Sequence, residues 1–450
     1  MQRLLYRVLD CKIIQVCLLL FFALQAGADP GSPRRLDRSF SLSSGYLERI
    51  SNSNEGLVYF PLSAIQLYSQ GFDSVTQGQL KSQSQRALIA LLEFPVSYWL
   101  AHSLFIPFHE FGHARANVAA NLRDYDYSSQ GWGSTIIGVG SYWSLSLLRL
   151  ITPPFGFPGS GHAATHPFGG VSSRFTVGLS QYYGSSADDL ISSASGLNNQ
   201  MFLAKKISDL VYEKNGHITY FAHYLGNKIS GFVYSQMDQD GLNNDPYVNG
   251  SSDISSILAY YSQRGLRVTH ADLQRQSLVS LMSGSTFAFL KGYVQYIQTG
   301  RPEVYPLEFF GFRVPDVNAY INARGLSYEL VTGYRFHPHF RLDLAYERVW
   351  KGEFAQQWTP RFHYQLASLF PRLNDFWVST DLVIGKGIGG SLQVQWTPYL
   401  FHFDRFSTRL SYFSRLIFYN AYTLYGERNT PSFDQRVVTP EWIVGLNYKF

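Results

Sequence analysis

From about Gly325 onward, apolar and polar positions alternate with period two, the rhythm of strands whose two faces meet different media. Seven runs carry it: residues 326–336, 340–350, 360–370, 376–385, 390–398, 408–419 and 437–450. Each is about ten residues long, which suits a strand crossing a membrane at a tilt. Upstream the period lengthens to that of helices. Residues 82–122 read as helical, but Pro107 predicts a break, with one helix ending near Ile106 and a second running from Pro107 to about Leu122. Residues 192–236 read as helical apart from a turn at Asn215-Gly216, and 271–297 as one helix weakened by Gly284 and Gly292. The alternating segment 175–183 is a candidate strand. Residues 29–56, rich in Ser, Asn, Arg and Gly, read as a flexible lead-in, and 57–82 take no assignment.

The last strand is the sharpest of the set. Phe450, Tyr448, Leu446, Val444 and Trp442 are apolar, while Lys449, Asn447, Gly445 and Glu441 are not, with Ile443 the exception. This alternation with a terminal aromatic resembles the final strand of Gram-negative outer-membrane β-barrels, whose terminal Phe is read by the barrel assembly machinery. The resemblance implies an outer-membrane location, lipid against one strand face, and that machinery as a partner. The other end agrees. Arg3, Arg7 and Lys12, an apolar stretch over 13–24 and the small residues Ala26-Gly27-Ala28 read as a secretory signal peptide over 1–28. Glu93, Pro95 and His102 interrupt the apolar run before the motif described below, so that run is no clean inner-membrane span.

Composition narrows the class further. Aromatic residues reach 16% and charged residues only 15%, a balance that favours contact with a membrane interface. Removing the leader lowers the formal net charge from +5 to +3, and no basic run suggests a nucleic-acid partner. Both cysteines, Cys11 and Cys17, lie in the leader. A metal site in the remaining chain would therefore rest on His, Asp and Glu. The fold expected is an α+β membrane protein. A polar lead-in over 29–82 precedes a mainly helical region over 83–324, and an antiparallel transmembrane β-barrel of about eight strands fills 325–450.

The candidate chemistry lies in Phe108-His109-Glu110-Phe111-Gly112-His113. On a helix, His109 and His113 project from one face, one turn apart, and can share a metal ion. Glu110 can reach the same place as a general base. The motif resembles that of the zinc metallopeptidases called zincins, and Gly112 makes it most similar to site-2-type membrane proteases. That resemblance implies Zn²⁺ held by His109 and His113, water activated by Glu110, and a protein or peptide substrate. Ala194-Ser195-Gly196-Leu197-Asn198-Asn199 is similar to the small-residue and Asn segment that follows the catalytic helix in those enzymes. No Leu-Asp-Gly segment on an apolar helix supplies a third ligand. His162 and His166 are the leading candidates, with Asp188, Asp189 and Glu213 behind them. Asp238-Gln239-Asp240-Gly241 lacks the ligand spacing of a calcium loop and reads as a polar turn. Three rivals stand beside the peptidase: a non-enzymatic pore or assembly factor with a helical plug, a purely structural metal site, and an inner-membrane protease.

Overall fold

The structure is a computed structural model. It describes residues 38–43, 58–76, 82–119, 124–129, 135–136, 171–176, 186–214, 216–240, 252–337, 340–365, 376–385, 387–396, 410–419, 424 and 441–449. The leader and the candidates His162 and His166 lie outside the described residues.

In chain order the elements are strand β1 (Ser39–Ser43), helices α1 (Tyr59–Thr76) and α2 (Gln83–Ala119), and strands β2 (Asp124–Ser129), β3 (Thr135–Ile136) and β4 (Val171–Thr176). Helix α3 (Ser186–Lys214), the short strand β5 (Gly216–His217) and helices α4 (Tyr220–Gln239), α5 (Asp253–Gln263), α6 (His270–Ser280) and α7 (Gly284–Thr299) follow. The chain then turns to β6 (Glu303–Val304), β7 (Glu308–Phe309), β8 (Phe312–Arg313) and β9 (Asp316–Asn322). The long strands close the order: β10 (Gly325–His337), β11 (Phe340–Gly352), β12 (Gln356–Gln365), β13 (Trp377–Ile384), β14 (Ile388–Trp396), β15 (Leu410–Tyr419) and β16 (Glu441–Lys449).

The seven alternating runs therefore all form strands, and three expectations upstream need correction. Helix α2 runs unbroken for 37 residues through Pro95 and Pro107. An interior proline costs about 3 kcal/mol. Packing offsets it here, because α2 is gripped along its length by Tyr293 of α7 at Glu93, Phe221 of α4 at Phe94 and Ser195 of α3 at Gly112. The single helix expected over 271–297 is two. Ser283 bonds back to the Ser280 carbonyl at 2.7 Å and across to Val317 O at 3.1 Å, and α7 begins afresh at Gly284. A Cβ on Gly284 would lie 2.5 Å from Val314 O, so this glycine serves close approach to the link between β8 and β9. Part of the supposed flexible lead-in is β1, which pairs antiparallel with β16.

The main sheet has eleven strands in the order β1-β16-β15-β14-β13-β12-β11-β10-β8-β7, with β9 also on β10, and every pairing is antiparallel. The architecture is α+β, as expected. Among the described residues no pairing closes the sheet by joining β1 to β7, β8 or β9. Phe175 belongs to β4, which pairs with β2 in a separate three-stranded sheet and does not extend the main one. No helix is long and apolar enough to cross a membrane, among the described residues.

The polarity of the sheet is reversed from that of a water-soluble protein. Glu329, Arg341, Asp343, Glu347, Gln357 and Arg415 are buried on one face. Leu330, Leu344, Phe362, Leu382, Leu392, Leu416 and Leu446 are exposed on the other. The second half of α3 lies on the charged face. Lys205 pairs with Glu329, Asp209 with Arg313 at 3.2 Å, and Glu213 with Arg341 at 2.6 Å. Beyond them Arg361 forms an ion pair with Asp381 at 3.2 Å, and Arg415 reaches the same carboxylate at 3.4 Å. Buried charges survive when they are paired and hydrogen-bonded, and here nearly every one has its opposite.

An apolar core gathers where α3, α5, α6 and the start of β10 meet. Leu190, Ala194 and Leu197 of α3 pack on Ile254, Ile257, Tyr260 and Tyr261 of α5, with Leu273, Ile321 and Leu326 closing the cluster. The spacing of the α5 residues gives that helix one apolar face. Ser252 caps its start, accepting a bond from Ser255 N at 3.1 Å. This core fixes α5 against α3 and so determines where Asp253, the first residue of α5, can point.

Candidate metal centre

Helices α2 and α3 cross at the motif, and each contributes a glycine to the crossing. A Cβ on Gly112 would lie 2.4 Å from the Ser195 carbonyl oxygen, and one on Gly196 would lie 2.4 Å from His109 Nε2. Neither position has room for a side chain, so hydrogen at both sets how closely the helices approach. Asn199 adds a polar tie, its Nδ2 donating to Phe108 O at 2.9 Å. The segment singled out over 194–199 thus lies directly against the histidine motif.

His109 and His113 are both buried, one turn apart, with ring centroids 4.7 Å apart. Their Nε2 atoms stand 3.0 Å from each other. The Asp253 carboxylate closes a triangle, with Oδ2 3.2 Å from His109 Nε2 and 3.1 Å from His113 Nε2. Two ligands of a tetrahedral Zn²⁺ at about 2.05 Å lie about 3.3 Å apart, so three ligand atoms separated by 3.0–3.2 Å fit one face of such a site. The three residues form the one group of His, Cys, Asp or Glu side chains with metal-ligand geometry among the described residues.

His109 Nδ1 lies 3.1 Å from Gln200 Oε1, an acceptor, so the Nδ1-protonated neutral ring would turn its Nε2 lone pair to a metal in the triangle. The Tyr234 ring packs on the His109 ring at 5.0 Å between centroids. Burial alone would raise the Asp253 pKa, but His113 and His109 outweigh it and hold the carboxyl well below the usual range. Its place at the start of a helix also suits a negative charge. The Asp253 side chain retains 27% exposure while those of His109 and His113 keep 2% and 9%, so the aspartate is the member of the triangle nearest solvent.

Glu110 sits in the same helical turn, although the position of its side chain lies outside the described residues. The side chains of Asp188 and Asp189 also lie outside them. Glu213 is removed from the site and bound to Arg341. Among the described residues the third member of the cluster is Asp253, 144 positions from His109. Nothing local marks it, since an aspartate after a serine at the start of a helix reads as ordinary capping. No family model, curated protein or solved structure matches this chain.

Proposed function

We propose that this chain is a zinc metallopeptidase of the bacterial outer membrane. The observation that carries the catalytic half is the triangle of His109, His113 and Asp253, three convergent ligand atoms with no fourth ligand among the described residues. Three protein ligands with a free position distinguish a catalytic zinc site from a closed structural one. Zinc bound there would polarise a scissile carbonyl and make water acidic enough to react near neutral pH. The chain's own residues do the rest. Gln200 keeps His109 in the tautomer that ligates, Asp253 contributes a negative charge, and Glu110 accepts a proton from the attacking water and returns it to the leaving amine.

The membrane half rests on reversed polarity. The exposed face of the sheet is apolar and its buried face is charged, as in a strand set with lipid outside and a polar interior. Aromatic residues stand near both ends of β10 and β11, Tyr328 and Trp350 at one and Phe336, Phe340 and Tyr364 at the other. The first half of α2 is reversed in the same way: Glu93 is buried with Ser97 and Tyr293, while Leu88, Leu91, Leu92 and Val96 are exposed. In this reading helices stand beside the sheet where barrel strands would otherwise close it.

A helical plug, the feature of the non-enzymatic rival, has support of its own in the ion pairs that bind α3 to the charged face. Plug and peptidase are compatible, because the same helix carries Gly196 and Gln200 at the metal triangle.

The test is metal content by elemental mass spectrometry, on outer-membrane preparations of wild type, His113→Ala and Asp253→Ala, followed by peptide hydrolysis. One zinc per wild-type chain is expected, with none in either variant. Glu110→Gln should keep the zinc and lose hydrolysis by about 10²- to 10⁴-fold. A wild type without zinc, or Glu110→Gln at full activity, would sink the proposal.

A further inference from the structure

We propose that Asp238, in the last turn of α4, is the positioning residue that aims Asp253 at the metal triangle. This rests on the metal-site reading above. The Asp238 side chain is only 6% exposed and joins the ends of three helices. Its Oδ1 accepts from Ser255 Oγ at 2.8 Å and from Ser252 Oγ, the residues on either side of the first turn of α5. Its Oδ2 lies 2.7 Å from Nε2 of His270, the first residue of α6. Ser235, one turn earlier on α4, strengthens the junction by donating from Oγ to His270 O at 3.1 Å.

The geometry has a specific consequence for Asp253. Ser252 is the cap and Asp253 the next residue, so rotation or fraying of that turn would swing the carboxylate out of the triangle. The apolar face of α5 fixes the helix against α3 through Ile254, Ile257 and Tyr261. Asp238 adds the polar hold on its first turn, by accepting from both the cap hydroxyl and the Ser255 hydroxyl. The Asp238-Gln239-Asp240 stretch, unfit as a calcium loop, thereby acts on a metal from a distance, through hydrogen bonds to the ligand's neighbours. Outer contacts of this kind commonly change metal affinity by about 10- to 100-fold when lost.

The experiment measures zinc affinity, by competition with a chromogenic chelator, on the full chain in detergent. Asp238→Ala should bind zinc about 10- to 100-fold more weakly than wild type. Asp238→Asn keeps an acceptor oxygen for the two serines and should recover most of that loss. Asp240→Ala, whose carboxylate accepts from Gln236 Nε2 at 2.9 Å on the surface, should stay within about twofold of wild type. Zinc affinity unchanged in folded Asp238→Ala, with only the melting temperature of the metal-free protein lowered, would overturn the proposal. If Asp238→Ala fails to fold, the double variant Ser252→Gly with Ser255→Ala removes the same bonds from the other side. It should lose about fivefold or more, and wild-type affinity there would equally overturn the proposal. A wild type that binds no zinc would instead remove the underlying reading, and the wild-type titration alone detects that.

Discussion

Helix α3 passes through two different electrostatic settings within a few turns. Near Ser195 to Gln200 it borders polar groups that converge on one point with no fourth ligand among the described residues: His109, His113 and Asp253. From Lys205 to Glu213 it borders buried charges that pair off, acid against base, until little remains to bind anything else. Burial is similar in both settings. The difference is whether the partners satisfy one another, and that distinguishes a place for a ligand from a place that holds a fold together.

That contrast can be broken from either end. The largest effect is expected in the paired region. Arg361→Ala removes the partner of Asp381 and a neighbour of Asp209, leaving carboxylates buried with less compensation. It should cost about 3–5 kcal/mol in denaturant unfolding in detergent while zinc affinity stays at the wild-type value. A matching loss of zinc would show that the two regions are a single network. The convergent region should respond in the opposite way. Gly196→Ala places a methyl group 2.4 Å from His109 Nε2 and should weaken zinc by about tenfold or more, with about 1–3 kcal/mol of overpacking strain. Wild-type zinc affinity in this variant would mean that the helix crossing does not set the ligand geometry.

The smallest effect sharpens the comparison from a third position. His223 on α4 is buried, and its Nε2 has no partner among the described residues. Burial pushes its pKa from 6.5 down to about 3. The unfolded chain therefore binds a proton that the folded chain refuses between those values, and stability falls as pH drops through that window. Relative to wild type, His223→Phe should lose about 1 kcal/mol less stability on acidification from about pH 5.5 to about pH 4.5, the limiting slope being about 1.4 kcal/mol per pH unit. Parallel curves would show that His223 is not a neutral buried imidazole.

The sheet was legible because period two is a local property: each of β10 to β16 announces itself within about ten residues. The histidine motif was legible for the same reason, since its two ligands lie four apart on one helix. What escaped is non-local. Asp253 looks like a capping residue until α5 packs on Leu190, Ala194 and Leu197 of α3 and turns it toward His109. Pro107 looks like a helix break until three neighbouring helices hold α2 straight. The segment over 39–43 looks like a polar lead-in because the strand that pairs with it lies at the other end of the chain. The glycine pair is an intermediate case: Gly112 and Gly196 were each visible, but only the crossing shows that they serve one contact.

The pairing of β1 with β16 has a consequence in time. Ser41 and Asn447, bonded side chain to side chain, are separated by 406 positions. Closing a flexible loop of that length costs about 5 kcal/mol of chain entropy. The cost falls once the strands between them have stacked one on the next, because the loop is then mostly ordered chain. The first strand of the described order must therefore be among the last to dock. The α2–α3 crossing draws on segments less than a quarter as far apart, His109 and Gln200 lying 91 positions from each other. The site can assemble around its glycines while the edge of the sheet still waits for its final strand. A chain stalled at that stage would carry a formed metal triangle beside an unpaired β16, and slow folding would show first as aggregation through that edge rather than as loss of metal.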